Sequence, residues 1–166
     1  MKNRWIITIL VLLVGTPVRS ADLFNKSYAV VVGISRYQNS GTWKTLDNAE
    51  NDAQAMNDFL TGQGFEVQPF VGRQATRANI TAYLEDILAP KLTQNDRFVF
   101  YFSGHGNTRL LGGRDRCYLI PYDGDTEKSS TWIAMEQLRA LADKLGNARH
   151  QLFILDSCLG GIFATK

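Results

Sequence analysis

Arg97-Phe98-Val99-Phe100-Tyr101-Phe102-Ser103-Gly104-His105-Gly106 decides how this chain folds, together with Gln151-Leu152-Phe153-Ile154-Leu155-Asp156-Ser157-Cys158. Each is a short apolar run that ends in small or polar residues and then a reactive side chain. Runs of this length, rich in valine, isoleucine and aromatics, read as strands buried on both faces. Reactive groups at the carboxyl ends of adjacent parallel strands stand where open α/β sheets build their sites. A thiol and an imidazole at two such ends suggest a cysteine nucleophile with a histidine partner.

Outward from these runs, strand and helix signals alternate. Tyr28 to Ile34 (YAVVVGI) reads as a first buried strand, followed by a polar loop from Gln38 to Thr45. Asp47 or Asn48 can cap a helix to about Gly62, with Ala49, Ala53, Met56 and Leu60 at helical spacing. Phe65 to Phe70 alternates as a second strand. A second helix starts at Thr76, carries Ile80, Tyr83, Leu84, Ile87 and Leu88 on one face, and ends near Pro90. After a glycine-rich loop at Gly112-Gly113, Tyr118 to Tyr122 reads as a short extended piece. Thr131 to Leu145 reads as a third helix, closed by Gly146. The alternation predicts a mostly parallel α/β sheet with helices on both faces.

The first twenty residues stand apart. Lys2 and Arg4 precede the apolar stretch Trp5–Gly15, which is short for a membrane span, and Pro17 and Val18-Arg19-Ser20 complete a cleavage signal. This reads as a signal peptide over 1–20, with one domain over 21–166 and export to the periplasm or medium. An uncleaved segment would instead anchor the chain to a membrane. The length suits a single core. With 18 Lys and Arg against 16 Asp and Glu, the formal net charge is +2, and no basic run argues for nucleic acid.

Two cysteines, Cys117 and Cys158, do not make a disulfide scaffold. Cys117, beside Tyr118-Leu119-Ile120, reads as a small buried hydrophobe. A bond from it to Cys158 is open in an oxidising compartment and would silence a nucleophile there. Cys158 and His105 as metal ligands would lack third and fourth partners at zinc spacing. His150 reads as a solvated surface histidine. The glycines near both strand ends let backbone amides approach a substrate oxygen, and the N–H groups of Gly106 and Cys158 could form an oxyanion hole. Histidine can protonate a leaving amine.

Five motifs in this order resemble the caspase-like cysteine peptidases, and within them the bacterial metacaspase-like group. They are Tyr28 to Tyr37, Leu46 to Ala53, Phe102-Ser103-Gly104-His105-Gly106, Tyr118 to Asp123, and Leu155 to Gly161. The resemblance implies a caspase–haemoglobinase fold and peptide-bond hydrolysis through an acyl-enzyme on Cys158, with His105 as acid/base. It also implies cleavage after Arg or Lys, with Asp52, Ser103 and Asp156 at the substrate-binding positions. Two carboxylates in a partly desolvated pocket suit a cationic side chain.

The family's smaller second half, a further part of the chain or a small-subunit partner, is not seen in the sequence, which ends eight residues after Cys158. The last strand would then be an uncovered edge, so the sequence reads as a fragment or isolated subunit. Leu159 also departs from the polar or aromatic residue common after the nucleophile in that group. Some relatives need calcium. Asp123, Asp125 and Glu127 offer oxygens on one loop but match no calcium-loop spacing, so the expectation is no resident metal. Competing readings are an inactive caspase-like binding or scaffold module, and a nucleotide-binding domain. The latter finds no support, since Gly33-Ile34-Ser35-Arg36 lacks the phosphate-binding glycines.

Overall fold

The computed structural model describes residues 23–39 and 43–157. The signal-peptide reading over 1–20 and Cys158 itself lie outside the described residues. Four strands, β1 (Ser27–Gly33), β2 (Glu66–Val71), β3 (Arg97–Ser103) and β7 (His150–Asp156), form a parallel sheet in the order β2-β1-β3-β7. This is the expected central α/β sheet. Pro69 is accommodated because β2 is an edge strand, where a missing N–H costs no ladder bond.

The strand period of two divides the core. Tyr28, Val30 and Val32 with Phe98, Phe100 and Phe102 face one side and join the larger cluster. Ala29 and Val31 with Val99 and Tyr101 face the other. Helix α1 (Ala49–Gly62) covers this second side through Ala53 and Leu60. Helices α2 (Arg77–Ala82) and α3 (Met135–Lys144) cover the first through Ile80, Leu138 and Leu141. Helices on both faces are thereby observed.

Helix α1 is capped differently from expectation. Asn48 stands at its N-cap without a side-chain bond. Instead the Glu50 amide donates to Ser35 Oγ, and the Ser35 amide donates back to Glu50 Oε1, both at 3.1 Å. The β1 exit loop thus supplies the cap, a reciprocal arrangement like a capping box built across fifteen residues. Thr76 does cap α2, its side chain accepting from the Asn79 amide at 3.2 Å. Beyond Ala82 the helix widens into a π-helical segment, Tyr83–Leu88, and closes in a 3-10 turn at Ala89–Lys91. The wider turn keeps Leu84 and Leu88 fully buried and leaves Ile87 exposed, against its expected place on the inner face.

Three expectations are corrected. The stretch before Tyr118 is not a loop but an antiparallel hairpin, β4 (Gly106–Leu111) and β5 (Arg114–Leu119). Gly112 and Gly113 turn it with φ of 61° and 74°, the left-handed pair that two-residue hairpins require. The third helix starts at Met135, not Thr131, because β6 (Ile133–Ala134) pairs with β5. Trp132 is held there, fully buried, its Nε1 donating to the Asp125 carbonyl at 2.7 Å. Finally, β7 is not buried on both faces: Leu152 is 54% exposed, and among the described residues no strand lies outside β7.

Candidate active site

Three strand ends finish in one row. Gly33, Ser103 and Asp156 are register partners across β1, β3 and β7. The Ile34 amide donates to the Ser103 carbonyl at 3.0 Å, and the Gly104 amide to the Asp156 carbonyl at 3.3 Å, which extends the ladder one step past the strands. Alternation puts Ser103 and Asp156 on the α1 side of the sheet, two positions past Tyr101 and Ile154. Helix α1 rests directly on β1 here. A Cβ on Gly33 would stand 2.4 Å from Ala53 Cβ and 2.8 Å from the Ala49 carbonyl oxygen, so only glycine permits the approach. That contact carries Asp52, in the first turn of α1, to the same end of the sheet.

Asp52, Ser103, Gly104, His105, Asp156 and Ser157 line one cleft of about 520 Å³, with Leu46 to Ala49 as a further wall. All the described residues that the sequence singled out for substrate binding therefore meet. Ser103 is buried, and its Oγ donates to Asp156 Oδ2 at 3.4 Å. Asp52 and Asp156 are exposed, however, so among the described residues the carboxylate pair is solvated rather than partly desolvated as expected. Both also line an adjoining hollow of about 460 Å³ with Met56, Phe59 and Tyr101. Burial pushes the Tyr101 phenol above its ordinary range; the Ser103 bond opposes this, and the negative charges of Asp156 and Asp52 add to it.

His105 is clamped on several sides. Its amide donates to Tyr37 Oη at 2.6 Å, and its Nε2 lies 2.7 Å from the Lys44 carbonyl oxygen. A carbonyl only accepts, so Nε2 carries the proton, and whenever the ring is neutral Nδ1 is the nitrogen without one. Tyr37 and Trp43 pack near the ring, with centroids at 5.2 and 5.6 Å. Burial holds the Tyr37 phenol well above its ordinary range, against the pull of the His105 amide. Gly104 makes room for this bond: a Cβ there would lie 2.9 Å from Tyr37 Oη and 3.1 Å from the Phe102 ring.

The Gly106 amide is set up by the hairpin ladder. The Ile120 amide donates to the His105 carbonyl at 2.9 Å, which makes 105 and 120 a hydrogen-bonded pair. Such pairs alternate along an antiparallel ladder, so the next pair, Gly106 and Leu119, is not bonded and the Gly106 N–H points away from β5.

The loop acids are taken up locally. Asp123 Oδ1 accepts from the Arg77 amide at 2.9 Å, and Asp125 Oδ1 from the Glu127 amide at 2.9 Å. That bond, with Lys128 nearby, holds the Asp125 carboxyl below the usual range, against a small effect of burial. Among the described residues no three His, Cys, Asp or Glu side chains converge as a metal site. Cys117 is buried and free, with Thr108 Oγ1 at 3.5 Å from its sulfur. His150 is exposed at the opposite end of the sheet, edge-on to Phe24.

Tyr37, Trp43 and Lys44 were not marked as site residues by the sequence. Their partners are 61 to 68 positions away, and a tyrosine and tryptophan in a polar loop offer only the signal that a large aromatic there must cover something.

Comparison with known proteins follows the same lines. A crystal structure of a protein from Geobacter sulfurreducens superposes with a TM-score of 0.66 at 24% identity, over 80% of this chain and 50% of that one, which shows the shared fold. A probable protease from a Desulfuromonadales bacterium is 26% identical over 157 aligned positions, covering 80% of this chain and 18% of the relative. The chain thus spans half the length of the solved relative and under a fifth of the curated one. The caspase-domain profile of the Peptidase C14 family matches residues 26–165, from the first strand of the sheet through the cleft and beyond. The chain belongs to the caspase-domain peptidase family.

Proposed function

We propose that this chain carries the catalytic residues of a cysteine-type endopeptidase of the metacaspase-like group, cleaving after Arg or Lys. One observation carries the reading. His105, Asp52, Ser103 and Asp156 line a single cleft, and Ser157, the residue before Cys158, lines it too. In the reaction the Cys158 thiolate attacks the scissile carbonyl carbon, and the carbonyl π-electrons move onto oxygen. The amides of Gly106 and Cys158 receive that charge; loss of one such donor typically lowers the rate on the order of a hundredfold. His105 takes the Cys158 thiol proton on Nδ1 as the thiolate forms and delivers it to the departing amine nitrogen as the C–N bond breaks, leaving a thioester. Water then adds to the thioester, passing its proton to His105, and the thiol leaves. Asp52 and Asp156 hold the guanidinium or ammonium of the residue before the cleaved bond, and Ser103 orients Asp156.

The polypeptide substrate, the export of the chain and the contribution of a second half of the fold are parts of this proposal. The solvated state of Asp52 and Asp156 fits the last of these, since further covering would desolvate the pair and strengthen its hold on a cation. Calcium has no step in this mechanism. Fluorogenic peptides ending in Arg, Lys or Asp, offered to the full-length protein with calcium or chelator, test the whole reading. Cleavage after Arg and Lys is expected, with at least a thousandfold loss in Cys158→Ala, on the scale of removing a nucleophile. Turnover that survives Cys158→Ala overturns it. Asp52→Ala with Asp156→Ala is expected to remove the basic preference, mainly through KM.

A further inference from the structure

Four consecutive carbonyls, those of residues 124 to 127, are each held by a side chain from one aromatic ladder. Trp43 Nε1 donates to Gly124 O at 2.9 Å, and Trp132 Nε1 to Asp125 O at 2.7 Å. Arg109 Nη2 donates to Thr126 O at 2.7 Å, and Nη1 to Glu127 O at 3.1 Å. The same three side chains stack on one another. The Arg109 guanidinium lies 4.5 Å from the Trp132 ring centre, and Trp132 meets Trp43 edge-on at 5.8 Å. Trp43 in turn packs on His105 at 5.6 Å, tilted by 34°. The loop itself has little freedom at this point. A Cβ on Gly124 would stand 2.7 Å from Ile120 Cγ2 and 3.0 Å from the Pro121 carbonyl oxygen.

Trp43 therefore controls His105 twice. Its ring limits the tilt of the imidazole, and its backbone leads directly into Lys44, whose carbonyl takes the Nε2 proton. Trp43 itself reaches the 124–127 loop through its Nε1 bond to Gly124 O, beside a longer bond from Asn39 Nδ2 to the same carbonyl at 3.5 Å. We propose that Trp43 is the positioning residue of His105, anchored on Gly124, and that the Trp132–Arg109 stack braces the anchor. The idea rests on the reading of His105 as the acid/base for its catalytic consequence, and on geometry alone for the state of the ring.

The chain has two histidines, so a long-range proton–nitrogen spectrum of the labelled full chain shows two imidazoles. For His105 the neutral ring is expected as one tautomer, protonated at Nε2. In Trp43→Ala, mixed tautomers are expected, and kcat falls on the order of a hundredfold, the scale of a misplacement of about 1 Å, with KM within about twofold. Trp43→Phe keeps the ring contact but not the Gly124 bond, and mixed tautomers are expected there too, less evenly mixed than in Trp43→Ala; a single Nε2–H tautomer in Trp43→Phe would remove the anchor from the proposal. Trp43→Leu keeps apolar volume and serves where Trp43→Ala does not fold. A folded Trp43→Ala or Trp43→Leu variant with a single Nε2–H tautomer overturns the proposal. A tautomer shift in a protein that cleaves no peptide would retain the positioning and remove the peptidase reading.

Discussion

At the scale of single residues, the neighbourhood of His105 is built from one side chain and two stretches of backbone. Tyr37 takes the His105 amide, Lys44 takes Nε2, and the ladder leaves the Gly106 amide directed outward. The Tyr37 phenol is the most strongly shifted of the described residues, and its shift has a stability consequence. Its folded pKa is raised, so the native state keeps the proton where the unfolded chain has lost it. That stability is fully present below about pH 10 and is lost as the pH climbs from there toward the folded value. Tyr37→Phe is expected to flatten the alkaline fall in stability by up to one proton, about 1.4 kcal/mol per pH unit, as read by denaturant titration between pH 9 and 11. An unchanged slope would mean that Tyr37 titrates normally. His105 was legible because it follows the end of an apolar run that reads as a strand, whereas Asp52, Ser103 and Asp156 were named only through the family resemblance of the motifs around them. Tyr37 and Trp43 were not legible, because their roles exist only once distant segments meet.

At the scale of elements, the strands of the parallel sheet were legible from their continuous apolar runs, while the elements between β3 and α3 were not. The second sheet is small, twisted out of short and partly polar strands, and β4 reads Gly-Asn-Thr-Arg-Leu-Leu without a clear alternation. Its one plain signal was the Gly112-Gly113 pair itself. The helix start at Met135 was hidden because Ile133 fits a helical pattern with Leu138 and Leu141, while pairing of Ile133 and Ala134 with Leu119 and Tyr118 drew them into a strand. The capping of α1 by Ser35 could not be read locally, since it joins two loops. Because Gly113 holds φ at 74°, a β-branched residue there is strained. Gly113→Val is expected to destabilise by about 1–2 kcal/mol, visible as a lowered melting temperature, while peptide cleavage at low temperature persists. Equal stability would show that the hairpin turn relaxes to another type.

At the scale of the molecule, the sheet has a closed side and an open one. Beneath the three phenylalanines of β3 the larger cluster is covered by α2, the π-helical segment and α3. On the α1 side, a hollow of about 570 Å³ runs between α1 and β7, lined by Phe24, Met56, Phe59, Leu152 and Ile154. Phe59 is 61% exposed, so this apolar surface is in contact with water among the described residues. Patches of this kind bind amphiphiles and promote association. The pair Phe59→Ser and Leu152→Ser is expected to reduce binding of a fluorescent apolar dye several-fold with little change in melting temperature. Undiminished dye binding would place the accessible apolar surface elsewhere.

The flush row of Gly33, Ser103 and Asp156 also acts as a ruler. Backbone bonds of the ladder, not the connecting loops, set how far each of these chain segments projects. A residue inserted within β3 would advance its end by about 3.3 Å and turn Ser103 to the opposite face. The same insertion in a loop between strands leaves the row untouched. Lengthening at the surface is therefore nearly free for this architecture, and lengthening inside a strand disassembles the cleft in one step.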